Sequence, residues 1–225
     1  LPWEPNRATF NRQQFDQLRQ HFDTSVLVTV PWFDWIKQRK NIQQSNSIRY
    51  VPYFYTPKIG RRFYSYTLFL SVWLHSRRWL KQKSPSILLA SWAYPEGPAC
   101  SFISKLLNCN FVMKVHGSDI NYHGKVPALA KQIVRASKNT IGISSVSMAM
   151  KQRMIAMGVE VEKIRVIYNG VDYEKFHTNY PSTDNNEYIL FIGNLKKEKG
   201  VMELLRGFAK ICQSHPHLSL QYAGN

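Results

Sequence analysis

Histidine, carboxylate and amide side chains gather at a few short turns of this chain, each just after an apolar run. Trp92-Ala93-Tyr94-Pro95-Glu96-Gly97 follows one such run and His116-Gly117-Ser118-Asp119 follows the next. Asn169-Gly170-Val171-Asp172 and Gly193-Asn194-Leu195 follow two later ones, and Lys199-Gly200 opens a helical stretch. An imidazole gives or takes a hydrogen bond near neutral pH, and backbone N–H groups at helix starts receive anions. A lysine at a helix start opposes the helix dipole, which points to an anionic ligand there. Each turn also has a plainer use. A lone strand-end histidine is more often structural, and Asn169-Gly170 supplies the positive φ needed to leave a strand. Four such turns at four strand ends describe one ligand-lined cleft.

The turns must be held by the runs before them. Apolar, β-branched runs at residues 24–30, 47–53, 86–91, 111–115, 140–144 and 164–168 are short enough for buried strands. Between them, residues 11–22, 61–82, 98–107, 127–136 and 145–157 carry apolar positions at helical spacing, and Gly158 stops the last. This alternation predicts an α/β fold with a parallel sheet covered by helices on both faces. Ligands of such sheets sit beyond the carboxyl ends of the strands, where the turns lie. Residues 178–187 are polar and turn-rich, and a fresh β–α–β follows at 188–193, 201–213 and 218–223. The expected organisation is a doubly wound domain over 1–177, a linker over 178–187, and the start of a second doubly wound domain over 188–225. Leu1 is not a methionine and Asn225 falls at a strand end, so both ends read as cut, with the first strand missing or cut.

Composition narrows the partners. An apolar fraction of 44% excludes general disorder. The net charge is +16, and it is uneven: residues 1–153 hold 22 bases and 6 acids, whereas the remainder holds 8 of each. The first part is therefore drawn to something anionic, whether lipid headgroups, phosphorylated substrates or nucleic acid. Cys100, Cys109 and Cys212 show no metal-ligand spacing and no disulfide framework, which fits a reducing cytosol. No apolar run reaches the roughly 18 residues of a membrane span. A nucleic-acid-binding protein would suit the charge, but no helix-turn-helix, RNP or zinc-finger pattern is present and the strand-end turns would go unexplained.

Residues 53–83 carry two readings. Aromatics flanked by Arg61, Arg62, Arg77, Arg78 and Trp79 suit a helix lying on an anionic membrane. The plainer reading turns Leu68, Phe69, Val72 and Trp73 toward the sheet and leaves the bases in water. Both hold if different faces are used.

At the turns the sequence resembles the retaining glycosyltransferases of the GT-B fold, family 4. Asn6 and the run from Thr9-Phe10 match the family's first loop and helix start. Residues 92–97 match its W-x-Y-P-[DE]-G segment, and Lys114 to Asp119 its HGxD turn. Residues 163–176 match K-I-x-V-I-x-N-G-V-D-x-x-x-F, and Gly193 to Gly200 the start of its donor domain. The resemblance covers nearly the whole chain and implies two Rossmann-like domains, the second only partly present. It implies transfer of a sugar, with retention and without a metal or other cofactor, from a nucleotide-sugar donor. The acceptor is lipid-linked or a glycan in surface or exopolysaccharide synthesis, and the enzyme is cytoplasmic and peripheral at the inner face of the membrane. His116 is the implied catalytic residue. The implied substrate-binding residues are Asn6, Phe10, Glu96, Gly97, Gly117, Asp119, Asn169, Gly193, Asn194 and Lys199. Asn194 departs from the family's arginine and leaves one positive charge fewer beside the diphosphate. The family's E-x7-E carboxylates do not occur in these residues, so the chain by itself is expected to lack a complete donor site. A non-catalytic scaffold module is the remaining alternative.

Overall fold

The computed structural model describes residues 3, 9–57, 59–175 and 187–224. Asn6, Lys58 and all of the expected linker before Glu187 lie outside them. Two compact units divide the chain, Leu1–Gly170 and Val171–Asn225.

The first unit runs α1 (Thr9–His21), β1 (Val26–Pro31), α2 (Trp32–Gln38), β2 (Ile48–Tyr53), α3 (Tyr64–Lys83), β3 (Ile87–Ala90) and α4 (Glu96–Leu107). It continues through β4 (Asn110–Val115), the single turn α5 (Ser118–Asn121), α6 (Pro127–Asn139), β5 (Gly142–Ser145), α7 (Met148–Ala156) and β6 (Ile164–Val166). The strands are parallel, as the strand–helix alternation predicts. β1 pairs with β2, Val26 opposite Ile48, and β3-β4-β5-β6 form a four-stranded sheet with β4 inside it. Among the described residues the hydrogen bonding of this unit thus falls into two sheets, where the sequence suggests one. Pro52, which lacks an N–H, sits inside β2 and is in keeping with a strand bonded on one side. In the second unit β7 (Tyr188–Ile192) and β8 (Ser219–Ala223) pair in parallel around α8 (Val201–Ile211).

Several boundaries differ from the periodicity, each for a local reason. Residues 61–63 form a 3-10 turn led by Gly60 at φ 68°, so α3 starts at Tyr64. Helix α4 starts at Glu96 and takes Pro98 into its first turn, where a missing N–H costs nothing. Ser145 stays in β5, and α7 begins only after Ser147, whose hydroxyl accepts from the Met150 N–H at 3.2 Å. The short helices α2 and α5 have no periodic signal long enough to read.

Two apolar clusters anchor the strand ends. Phe111, Met113 and Val115 of β4 and Ile143 of β5 meet Leu129 and Ile133 of α6 and Met150 and Met154 of α7. Val51 and Tyr53 of β2 meet Leu68, Val72 and Leu80 of α3 and Ala99 and Ile103 of α4. Each large side chain buried this way contributes about 1.5–3 kcal/mol, so the loops leaving β3 and β4 start from a fixed floor. Phe69 and Trp79 also pack on the second cluster, while Leu70 (50% exposed), Leu74 (66%), Arg77 and Arg78 face solvent. Helix α3 therefore has both an inner apolar face and an outer one flanked by bases.

Gly97 lies where α4 crosses β4. A Cβ there would fall 2.6 Å from Sδ of the fully buried Met113. Gly97→Ala is expected to lower the unfolding free energy by about 1–3 kcal/mol in urea titrations. An unchanged midpoint would mean that Met113 simply swings aside.

Candidate functional site

Strands β3 and β4 end side by side, with Ala90 opposite Met113. The loops that leave them meet at one buried side chain. Asp119 has no solvent exposure. Its Oδ1 accepts from the backbone N–H groups of His116 (3.1 Å), Gly117 (2.8 Å) and Ile120 (3.1 Å). Its Oδ2 accepts from the N–H of Ala93 at 3.0 Å, across to the other loop. Gly117 makes the tight turn possible at φ 141°, a region closed to side chains with a Cβ. In this geometry both oxygens serve the turn and its neighbouring loop.

The turn carries His116 half-buried beside Trp92, ring centroids 5.3 Å apart. Burial pushes its pKa below the ordinary histidine value, and the charge of Lys114 adds to that. Asp119 and a hydrogen bond to the Ser91 backbone pull the other way without cancelling it. At neutral pH the ring is uncharged and has one donor and one acceptor nitrogen. Lys114 is 6% exposed, and its Nζ donates to Oε1 of Gln14 in α1 at 2.7 Å. Burial lowers its pKa as well.

Glu96 opens α4 beside this turn. Part of its surface remains accessible, yet protein surrounds the carboxyl closely enough that desolvation raises its pKa to about 7. Backbone N–H groups of Ser91 and Trp92 stabilise the charged form, and Asp119 opposes it. A helix start favours an anion, but burial wins. Glu96 can therefore give or take a proton near neutral pH.

His116, Gly117, Asp119, Glu96 and Gly97 are thus brought together at two adjacent strand ends. Asn169 is exposed beyond β6, and Phe10 lies in the first turn of α1. In the second unit the N–H of Gly193 (φ 153°) donates to the carbonyl of Ala223 at 2.9 Å, which ties the end of β7 to β8. Asn194 is exposed just after it, and Lys199 is exposed in the 3-10 turn before α8. Arg62, Arg77 and Arg78 are exposed, Trp79 packs inward, and Arg61 donates to the Tyr122 hydroxyl at 2.8 Å. Among the described residues no three His, Cys, Asp or Glu side chains gather as a metal site, and no helix is long and apolar enough to cross a membrane. Sequence reasoning passed over Lys114, Tyr122 and His123. A lysine inside an apolar strand and an aromatic pair just past the HGSD turn were the available signals.

The family model of Glycosyltransferase Family 4 matches residues 17–175. A curated relative, TuaC of Bacillus subtilis (strain 168), is described provisionally as a teichuronic acid biosynthesis glycosyltransferase. It is 23% identical over 141 residues, 56% of this chain and 35% of its own. Among solved structures, Anabaena Alr3699/HepE in complex with UDP and glucose superposes with a TM-score of 0.63 at 16% identity, over 97% of this chain and 57% of that one. The UDP-GlcNAc 2-epimerase of Methanocaldococcus jannaschii gives 0.53 at 10% identity, over 94% and 60%. The chain thus spans about a third of the curated relative and less than two thirds of these structures. A transferase-type fold shared with an epimerase shows that the architecture alone does not choose the reaction.

Asp119→Asn turns one acceptor oxygen into a donor that faces N–H groups. It is expected to cost about 2–3 kcal/mol in denaturant titrations; a loss below about 0.5 kcal/mol would mean that the loops hold each other without the carboxylate. Glu96 makes stability depend on pH. A carboxyl whose pKa rises on folding, here from 4.5 to about 7, favours the folded state while protonated. That contribution is complete below about pH 4.5 and is lost as pH rises through about 7. Glu96→Gln should therefore melt a few degrees above the unaltered protein at pH 8.5, with the gap closing by pH 5. A pH-independent gap would contradict the raised pKa.

Proposed function

Since the chain belongs to Glycosyltransferase Family 4, we propose that it works in a retaining glycosyltransferase that moves a sugar from a nucleotide-sugar donor to a lipid-linked or polysaccharide acceptor of surface or exopolysaccharide biosynthesis. The observation that carries the reading is geometric: the buried Asp119 ties together the loops at two adjacent strand ends. These present a half-buried His116 beside the start of α4 with Glu96, and loss of water pushes the histidine pKa down and the carboxyl up to about 7. As the bond from the anomeric carbon to the diphosphate breaks, negative charge grows on the leaving group. The acceptor oxygen bonds to the same carbon, and its proton passes to the ionised carboxylate of Glu96. His116 hydrogen-bonds a hydroxyl of the transferred sugar. Lys199 and the free amides at the start of α8 meet the diphosphate. The step needs no metal.

HepE, of similar fold and solved with UDP-glucose, is in keeping with a UDP-sugar as donor, and TuaC, named for teichuronic acid biosynthesis, with an acidic polymer as product. The outer face of α3, with Leu70 and Leu74 between Arg62 and Arg77-Arg78, supports peripheral attachment at the cytoplasmic face of an anionic membrane. By the resemblance, Asn6, Phe10, Gly117 and Asn169 belong to substrate binding in the first unit, where Gly97 serves by keeping α4 close to β4. Gly193 and Asn194 belong likewise to donor binding in the second.

The test is transfer by the full-length protein supplied with UDP-glucose and a membrane extract as acceptor. His116→Ala is expected to lower kcat by about 10²-fold or more while the circular dichroism spectrum and Tm stay unchanged. Unaltered turnover would remove His116 from the reaction, and a product of inverted anomeric configuration would overturn retention.

A further inference from the structure

Beyond the Asp119 carboxylate, the same two loops run on into a hollow of about 390 Å³ within the first unit. That is within the roughly 300–1,000 Å³ usual for small-molecule sites. Tyr94 comes from the loop after β3, and Tyr122 and His123 come from the segment after α5. Tyr55 and Arg61 come from the segment joining β2 to α3, and Tyr64 opens α3. Two groups of rings line it: centroids lie 5.5 Å apart for Tyr94 and His123 and 5.4 Å for Tyr122 and His123, and 5.3 Å apart for Tyr55 and Tyr64. Together these rings form its wall.

The wall is set in advance. The Tyr94 hydroxyl donates to the Arg61 carbonyl and the Tyr64 hydroxyl donates to the Thr56 carbonyl. Nε2 of Gln132 in α6 holds the Arg62 carbonyl at 2.9 Å. The turn that carries Arg61 is therefore tied to two other elements.

The charge of this hollow has one sign. Arg61 uses Nη1 on the Tyr122 hydroxyl at 2.8 Å, and its guanidinium carbon lies 5.4 Å from the Tyr122 ring centre. A guanidinium has five N–H donors, and no carboxylate among the described residues pairs with it. No acidic side chain lines the hollow. The acid close enough to influence His123 is Asp119, which is buried and engaged by the backbone of its own loops. Nδ1 of His123 is itself buried and has no hydrogen-bond partner. Ring faces offer a surface to the C–H face of a sugar, hydroxyls and an imidazole suit its hydroxyls, and a guanidinium fork suits a carboxylate or phosphate.

We propose that this hollow is a subsite for an anionic sugar of the acceptor, whose ring lies on the tyrosines and whose carboxylate or phosphate meets Arg61. The proposal rests on reading the first unit as the acceptor side of a glycosyltransferase, and narrows that acceptor to acidic glycans. Arg61 then has a different role from Arg62, Arg77 and Arg78 on the outside of the molecule.

Binding without turnover tests it apart from the transfer reaction. The 225-residue chain is titrated with methyl β-glucuronide, glucose 1-phosphate and the neutral methyl β-glucoside, followed by saturation-transfer NMR. At least one charged probe is expected to bind tenfold or more tightly than the glucoside, and the one that does tells carboxylate from phosphate. Inorganic phosphate should bind more weakly than glucose 1-phosphate, because it lacks the ring. Arg61→Gln should bring the charged probe down to the level of the glucoside. Equal binding of all three sugars overturns the anionic preference and leaves the acceptor-side reading standing. Binding of no sugar, or charged-probe affinity unchanged in Arg61→Gln, overturns the subsite altogether. Should that variant fail to fold, the comparison of charged and neutral probes on the unaltered chain decides the matter.

Discussion

Taking a carboxylate out of water is among the costliest things a fold can do, and it is tolerated only where other dipoles replace the solvent. At Asp119 the replacement comes from backbone N–H groups of residues 93, 116, 117 and 120, drawn from two loops 26 positions apart in the chain. Much else follows from that convergence. It fixes the turn that presents His116 beside Trp92, and it brings the end of β3 and the start of α4 against that turn. It also places Tyr94 beside His123 in the wall of the aromatic hollow.

The two acidic side chains at these strand ends have different surroundings. Asp119 meets a ring of N–H donors. Glu96 meets two donors, and for it burial outweighs both those donors and the helix start, so its proton is held to about pH 7. The nearby histidine is shifted downward by the same loss of water. A base that stays uncharged and an acid that stays partly protonated near neutrality are complementary tools for moving one proton between hydroxyl groups.

The layered architecture was readable because it is local. Each of the eight strands among the described residues falls within a residue or two of an apolar run, and the longer helices between them carry their own spacing. What escaped is what long-range contacts decide. Lys114 looked like one polar position in a motif, and its burial against Gln14 spans 100 residues. Arg61 reads as one of several bases beside aromatics, yet its partner Tyr122 lies 61 residues on. The single-turn helix α5 is shorter than any period that could announce it. Glu96, Gly97, His116, Gly117 and Asp119 do assemble at neighbouring strand ends as the turns suggested, but the split between framework and presented groups within that set was not legible. Asp119 and Gly97 point into the protein, one toward backbone N–H groups and the other toward Met113.

A shared carboxylate also constrains how such a protein can change over generations. Lengthening or shortening either loop by one residue would move an N–H off Asp119, so the floor of the site resists insertions and deletions on both sides at once. Positions 61, 122 and 123 stand outside that ring of bonds and can be exchanged one at a time. Diversification of what is recognised is thereby channelled to the rim by point substitution, while the loops beneath keep their lengths.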